Sequence, residues 1–301
     1  MKNISRRQFL ANSTGALAIF AGMGALLSGC GKKRAFQIGV CDWTLGCAGS
    51  DKAFDIAKSI GLDGVQLSSP KNKPEGDFFT PDDIAKFKAK MDETGLKVAS
   101  TAPTCMNPCP FYSTDGAVEF TCKAIDAANA LGAHSILLPF YGPANMQDAN
   151  KKMDEKHFAP LVKRLKEVAP YAQKKDVLVC MENSISAEEN IRVIDAVGSD
   201  YVKVYFDIFN SQYYGHNTLH ELNVLGKKYI GEIHMKDKGH RLDSGSGMPE
   251  SMQACIDAIC GIGYEGWLVM ELHEHNPKKD GSVEEVLKHN LEYLKKSRLF
   301  A

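Results

Sequence analysis

The chain has 301 residues, of which 44% are hydrophobic and 24% charged. This composition is typical of a globular protein and excludes collagen-like, disordered and multi-span membrane classes, because the apolar residues are plentiful but spread along the chain. Residues 30–301 carry 33 of the 36 basic residues and all 37 acidic ones, a net charge of −4. Such a mildly acidic surface disfavours nucleic acid as a partner.

The first thirty residues have the features of an export signal rather than of a folded domain. A basic start precedes an apolar run rich in alanine and glycine. The pair Arg6 and Arg7, in the string SRRQFL, resembles the twin-arginine export motif. The string LSGC, which ends at Cys30, resembles a lipoprotein cleavage box.

We therefore predict a twin-arginine lipoprotein signal peptide at 1–29, lipidation of Cys30 and a short tether at 30–34. The protein is then expected in the periplasm or the cell envelope, with the lipid anchor as its only membrane contact. A transmembrane anchor and a buried helix are the alternatives for this segment. Its polar NST triplet and four glycines weaken both of them.

Eight cysteines follow Cys30, and most are expected to be free and buried. Zinc-site spacing such as Cys-x-x-Cys is absent, and a domain of about 270 residues has enough core to fold without disulfides. An exported protein can nevertheless form disulfides, so pairing of Cys105 with Cys109 stays open.

From residue 35 onward, short β-branched or apolar runs alternate with longer amphipathic stretches. In chain order, strands are predicted at 36–42, 64–68, 97–101, 135–140, 177–183, 202–208, 230–236 and 267–273. Helices are predicted between and after them at 51–60, 81–94, 115–131, 154–174, 187–197, 218–228, 249–261 and 283–296.

Eight alternating strands and helices predict a single (β/α)8 TIM barrel over residues 35–301. A doubly wound open sheet is the alternative, and it is disfavoured because no Gly-x-Gly-x-x-Gly string follows the first strand. No linker or low-complexity tract interrupts the pattern, so one domain is expected after the leader.

Polar residues stand near the ends of the last four predicted strands: Glu182, Asp207, His234 and Glu271. In a TIM barrel the active site lies at these carboxyl ends, and period-two alternation lets all four side chains face the barrel axis. Three carboxylates held together repel one another unless a cation neutralises them. Mixed oxygen and nitrogen ligands without thiolate suit Mn²⁺, Mg²⁺ or Co²⁺ better than a structural zinc.

Together with the strings YFDIFN and EIHMKD, these four residues resemble the xylose isomerase-like superfamily of sugar isomerases and epimerases. Its members include D-tagatose 3-epimerase, L-ribulose-5-phosphate 3-epimerase and hydroxypyruvate isomerase. The resemblance implies that the four residues bind a divalent metal, with Mn²⁺ expected and Mg²⁺, Co²⁺ or Zn²⁺ as alternatives. It also implies that Glu182 and Glu271 are catalytic and move a proton beside a metal-polarised carbonyl through an enediolate.

The resemblance further implies substrate contacts at Glu188, Arg241 and Lys236. Each has a structural alternative: Glu188 could simply begin a helix, and Arg241 is offset by one residue from the position that relatives use. Lys236 could belong to a solvated strand end. Trp43 is expected to contact the apolar face of a sugar, although core packing also explains it.

Asn210, three residues after Asp207, replaces a histidine found in many relatives. It is expected to orient Asp207 or a water at the ion from outside the ligand set.

The sequence therefore favours a metal-dependent isomerase or epimerase acting on a free or oxidised small-molecule sugar. A lyase or hydrolase of 3-keto-glycosides would use the same site, and a non-catalytic carbohydrate-binding lipoprotein is a further alternative. An endonuclease IV-like repair enzyme is disfavoured by the net charge and by Asn210 and Lys236, where additional ligands would be needed. Homo-oligomerisation is left open.

Overall fold

The computed structural model describes residues 35–245, 249–272 and 281–300. The predicted signal peptide at 1–29, the lipidation site Cys30 and the tether at 30–34 lie outside the described residues. None of the helices in the described ranges is both long enough and apolar enough to cross a membrane.

Eight parallel strands close into a barrel in the order of the chain, because β1 pairs with β8 as well as with β2. The single (β/α)8 barrel predicted from the sequence is therefore confirmed. The strands are β1 Phe36–Cys41, β2 Gly64–Ser68, β3 Lys97–Ala102, β4 Ser135–Pro139, β5 Leu178–Glu182, β6 Val202–Asp207, β7 Ile230–Met235 and β8 Gly266–Met270.

Helices follow the strands and cover the outside of the barrel. All eight predicted helices are present, and the described residues contain one more, a short helix directly after β6. The α-helices are α1 Lys52–Ile60, α2 Pro81–Thr94, α3 Ala117–Ala130, α4 Glu155–Lys175, α5 Ala187–Val197, α6 Ile208–Tyr213, α7 Thr218–Tyr229, α8 Met252–Gly261 and α9 Val283–Lys296.

Local side-chain chemistry explains where several helices begin and end. Capping boxes start α2, α5 and α9. In each, a Ser or Thr hydroxyl accepts the backbone N–H three residues later, and the acid at that later position accepts the backbone N–H of the Ser or Thr. Gly226 adopts φ 53° and interrupts α7 near its end. This left-handed geometry suits glycine, whose lack of a Cβ makes positive φ accessible.

The apolar core lies mainly between the strands and the surrounding helices. The inside of the barrel differs, because it holds a buried polar layer as well as two small apolar clusters. All eight cysteines in the described residues are free, including Cys105 and Cys109, whose pairing the sequence left open. Four of them are fully buried and four are partly buried.

Candidate metal centre

The four polar residues predicted from the strand ends meet in space. Glu182 and Asp207 end β5 and β6, His234 lies one residue before the end of β7, and Glu271 directly follows β8. The register pairs Asp207 with His234. One ligand atom from each of the four lies within 4.8 Å of all the others, so the barrel builds one compact cluster.

One ring nitrogen of His234 faces all three carboxylates. Its Nδ1 lies 3.2 Å from Glu182 Oε1, 3.3 Å from Glu271 Oε2 and 3.7 Å from Asp207 Oδ2. The imidazole is fully buried. Nδ1 is thus the nitrogen positioned to bind a cation together with the carboxylate oxygens.

Lys236 places a positively charged ammonium group beside the cluster. Its Nζ lies 2.9 Å from Glu271 Oε2 and 3.5 Å from Asp207 Oδ2, and its side chain is almost completely buried. Burial raises the pKa of Asp207, but Lys236 and His234 outweigh burial and lower that pKa to about 2. Burial raises the pKa of Glu182, which His234 offsets only in part.

The donor set fits a divalent cation. Asp207 Oδ2 is buried and accepts no hydrogen bond from the described residues, although Lys236 and His234 lie nearby. Three carboxylates and one imidazole suit Mn²⁺, Mg²⁺ or Co²⁺. Burial raises the pKa of the neighbouring Cys41 thiol to about 12, and this thiol donates to Gln66 Oε1 over 3.2 Å.

A cavity of about 420 Å³ opens above the cluster, and Glu182, Glu271 and Lys236 form part of its lining. This volume falls within the range of small-molecule sites. Polar groups from Asn107 and Asn210 also line it. Five aromatic side chains contribute to its wall: Trp43, Tyr141, Phe209, Tyr213 and Tyr214.

Three of the other residues singled out in the sequence reach this cavity. Trp43 donates from Nε1 to Glu271 Oε1 over 3.1 Å, and Lys236 approaches Glu271 from the other side. Asn210 donates from its backbone N–H to Asp207 Oδ1 over 2.7 Å and from its side chain to Glu182 Oε1 over 3.3 Å. Asn210 therefore contacts two of the predicted ligands.

Two predicted substrate contacts are not brought to the cavity. Glu188 lies exposed in the first turn of α5, where its Oε1 is 2.9 Å from His220 Nε2. Arg241 lies exposed in the segment after β7. Neither side chain is among those that line the cavity, since Glu188 lies at the start of an outer helix and Arg241 is exposed after β7. The substrate contacts predicted at these positions are left without support.

The sequence reasoning missed several residues of the site. Tyr141 follows β4 and donates toward Asn183, and its hydroxyl accepts from Asn210. Phe209 and Tyr213 belong to α6, a helix too short for a hydrophobic period to reveal. The available signal was their place in the chain, since Tyr141 lies two residues after β4 and α6 begins directly after β6, near the strand ends that also carry the four cluster residues.

A family model described as xylose isomerase-like TIM barrel matches residues 54–297. The chain belongs to this family. That result confirms the resemblance inferred from the strand-end residues and agrees with the closed eight-stranded barrel.

Relatives within and around the xylose isomerase-like TIM barrel family include several epimerases. The chain is 23% identical over 202 residues to 2-epi-5-epi-valiolone 7-phosphate 2-epimerase of an Actinoplanes species, covering 67% of this chain and 72% of the relative. D-psicose 3-epimerase from Clostridium cellulolyticum H10, solved with D-tagatose, superposes with a TM-score of 0.68 at 19% identity, covering 85% of this chain and 97% of the relative.

The 3-keto-D-glucoside 4-epimerase of E. coli also superposes with a TM-score of 0.68, at 17% identity, over 86% of this chain and 99% of that protein. At these identities the superpositions show a shared fold.

Proposed function

We propose that the protein is a divalent-metal-dependent sugar isomerase or epimerase that acts on a free or oxidised sugar. The observation that carries the proposal is the convergence of three carboxylates and His234 Nδ1 on the floor of an aromatic-lined cavity. The epimerase activity named for the relatives supports it. Mn²⁺ is the ion we expect, because the donors are carboxylate oxygens and an imidazole.

The two catalytic candidates approach the cavity from different sides. Glu182 comes from β5 and Glu271 follows β8, three strands further around the barrel. When bound, a divalent ion would polarise the substrate carbonyl and acidify the neighbouring C–H bond. One glutamate can then remove that proton and the other can return it from the opposite face, which gives epimerisation; return to the adjacent carbon gives isomerisation through an enediolate.

Neighbouring side chains hold both glutamates in place for this proton transfer. Trp43 and Lys236 each bind a different oxygen of Glu271. Asn210 donates to Glu182. A carboxylate that is fixed in this way meets the proton in one orientation, which is the positional advantage that general acid–base catalysis needs.

The cavity lining favours a sugar without a phosphate. Aromatic rings suit the apolar face of a sugar ring, while Asn107 and Asn210 offer hydrogen bonds to hydroxyl groups. Among the described residues that line the cavity, Lys236 is the only cation. Its ammonium group already lies beside Glu271 and Asp207, so little positive charge is left for a phosphate.

A 3-keto-glycoside lyase or hydrolase is the second candidate. It is favoured by the open aromatic rim of the cavity. Tyr213 at this rim is 65% exposed, so a second sugar ring or an aglycone could pack against it. Both candidates begin with removal of the same type of proton, and they differ in whether a glycosidic bond then breaks.

Deuterium exchange separates these functions. The Mn²⁺-loaded protein would be incubated in D₂O with a panel of ketoses and 3-keto sugars, and the products analysed by NMR and mass spectrometry. Deuterium beside the carbonyl without bond cleavage is the expected result, whereas release of an aglycone would identify the lyase or hydrolase. Absence of exchange across the whole panel would overturn both candidates and leave a carbohydrate-binding protein.

We also propose that the chain works outside the cytoplasm. The twin arginines at 6 and 7 and the LSGC string that ends at Cys30 support this proposal, which makes the protein an envelope lipoprotein held by acyl chains.

A further inference from the structure

We propose that Glu232, acting through Ser100, Tyr205 and Gln66, holds a hydrogen on Nε2 of His234 and so leaves Nδ1 to bind an ion at the candidate metal centre. All five side chains are buried inside the barrel. Glu232 precedes His234 by two residues on β7 and so lies deeper than the predicted ligands. The inference rests on the metal-binding part of the proposed function.

The first step is the hydrogen bonding of Glu232. Its Oε1 lies 2.8 Å from Ser100 Oγ and 2.9 Å from Tyr205 OH. Its other oxygen, Oε2, contacts the hydroxyl of Ser135. Oε1 accepts both hydroxyl hydrogens whether or not a proton resides on Oε2, because it has two lone pairs. Ser100 and Tyr205 therefore point their hydrogens at Glu232 and turn their lone pairs away from it.

The next group along the barrel is the amide of Gln66. Its Nε2 lies 2.7 Å from Ser100 Oγ and 3.1 Å from Tyr205 OH, so the NH₂ group donates to both hydroxyl oxygens. A flipped amide would place its carbonyl oxygen against two hydroxyls whose hydrogens are already used. Glu232 thereby sets the orientation of the Gln66 amide, although the two side chains do not touch directly.

The amide carbonyl then specifies the protonation of His234. Gln66 Oε1 lies 2.9 Å from His234 Nε2 and accepts from the Cys41 thiol over 3.2 Å. A carbonyl oxygen has no hydrogen to give, so Nε2 must carry one. Nδ1 faces Glu182 and Glu271, and it is the ring nitrogen that would give its lone pair to an ion when one binds.

This series of hydrogen bonds requires a hydrogen-bond acceptor at position 232 rather than a negative charge. The distinction matters because a buried carboxylate would also attract a cation simply by its charge. The two explanations make different predictions for glutamine at this position. Glutamine keeps one carbonyl oxygen for Ser100 and Tyr205, and its NH₂ group can donate to Ser135.

Mn²⁺ binding to the metal-free protein, measured by isothermal titration calorimetry, tests whether this series of hydrogen bonds supports the metal site. We expect Gln66→Leu, and the double variant Ser100→Ala with Tyr205→Phe, each to weaken Mn²⁺ binding by about 10- to 100-fold. Ser135→Ala is the matched control, because it removes a buried serine bond to Glu232 without affecting Gln66. It should leave Mn²⁺ affinity close to that of the wild type.

Two variants at position 232 distinguish an effect of hydrogen-bond direction from an effect of the negative charge. Glu232→Gln should retain nearly wild-type Mn²⁺ affinity, whereas Glu232→Leu should lose about 10- to 100-fold. An equal loss in both variants would overturn the proposal in favour of a charge effect. Thermal unfolding of each variant confirms that it is folded; if Glu232→Leu does not fold, the Ser100 and Tyr205 double variant still decides.

The protonation of the imidazole can be observed directly. In the Mg²⁺-bound protein labelled with ¹⁵N-histidine, the His234 ring, assigned by its absence in His234→Gln, should carry its hydrogen on Nε2. A hydrogen on Nδ1 would overturn the proposal.

Failure of the unaltered protein to bind Mn²⁺ would instead refute the metal-dependent function. Tight wild-type binding that none of the variants changes would refute only the role of Glu232 and Gln66.

Discussion

Lys236 sits where a positive charge is needed when no divalent ion is bound. Its ammonium group lies 2.9 Å from Glu271 Oε2 and 3.5 Å from Asp207 Oδ2, and it is almost completely buried. The pKa of Lys236 is lowered by burial, but Asp207 and Glu271 outweigh burial and raise it, so the group stays charged. Lys236 therefore neutralises part of the carboxylate cluster of the metal-free protein.

Replacing Lys236 with methionine should make the fold depend more on the metal. Removal of one partner from a buried ion pair costs about 3–5 kcal/mol, so the metal-free Lys236→Met protein should melt well below the wild type. Saturating Mn²⁺ should recover part of this loss, because the cation replaces the missing charge. Thermal unfolding with and without Mn²⁺ measures the effect. Lys238→Met, at an exposed neighbouring position, is the control, and an equal Mn²⁺ shift in both variants would contradict the prediction.

The two glutamates of the cluster are expected to be indispensable for proton transfer. Glu182→Gln and Glu271→Gln each remove a proton acceptor and a charged candidate metal ligand. The rate at which the substrate hydrogen exchanges with solvent should therefore fall by at least about 100-fold. His234→Ala should chiefly weaken metal binding. Exchange in D₂O and Mn²⁺ titration measure the two effects, and wild-type turnover in any of the three variants would refute the site assignment. Glu188→Gln, at an exposed helix start, is a matched control with near wild-type exchange expected.

At the scale of elements, the short helix α6 links the metal centre to the cavity wall. Asp207 ends β6 and also caps α6, since its Oδ1 accepts the backbone N–H of Asn210. The cap turns the chain so that Phe209 and Tyr213 line the cavity beside the ligands. Their rings pack at a centroid distance of 5.7 Å. A single residue thus positions both a ligand oxygen and an aromatic surface.

Tyr213→Ala should raise KM by about 2- to 10-fold and leave kcat unchanged. The side chain is 65% exposed at the cavity rim, and loss of an aromatic contact costs about 0.5–1.5 kcal/mol. Steady-state kinetics on the substrate found by the exchange panel measure the effect. Tyr213→Phe keeps the ring and serves as the control with nearly wild-type KM. A similar rise in KM for both variants would indicate that the hydroxyl, rather than the ring, contacts the substrate.

The strands, the main helices and the convergence of the four candidate ligands could be predicted because each has a local signal. Apolar runs of five or six residues mark the strands, and a polar residue at the end of such a run marks the mouth of the barrel. The position of Glu188 could not be predicted in this way, because its distance in sequence from Glu182 does not show whether its side chain faces the barrel mouth or begins an outer helix. The polar interior was equally hidden, since pairing of Gln66 with Tyr205 depends on strands far apart in the chain.

For the whole molecule, the four candidate ligands lie at the ends of the four consecutive strands β5 to β8. A bound ion would therefore connect half of the barrel wall at its carboxyl end, and it would add stability by mass action, about 2.7 kcal/mol at a concentration 100 times its Kd. The barrel needs no disulfide for this, since its eight cysteines in the described residues are free. If the chain is exported as proposed, a barrel that folds with its ion bound would suit the twin-arginine route, which carries folded cargo.

Membrane attachment of the full chain is expected to depend on one sulfur atom. If acyl chains are added at Cys30, the wild type should sediment with membranes and be released by detergent but not by high salt, because several acyl chains anchor a protein stably. Cys30→Ser should move the protein to the soluble fraction with its Mn²⁺ affinity unchanged. Cys109→Ser, at a partly buried cysteine of the barrel, is the matched control that should remain attached. Continued membrane association of Cys30→Ser would show that the hydrophobic leader, rather than a lipid, holds the protein.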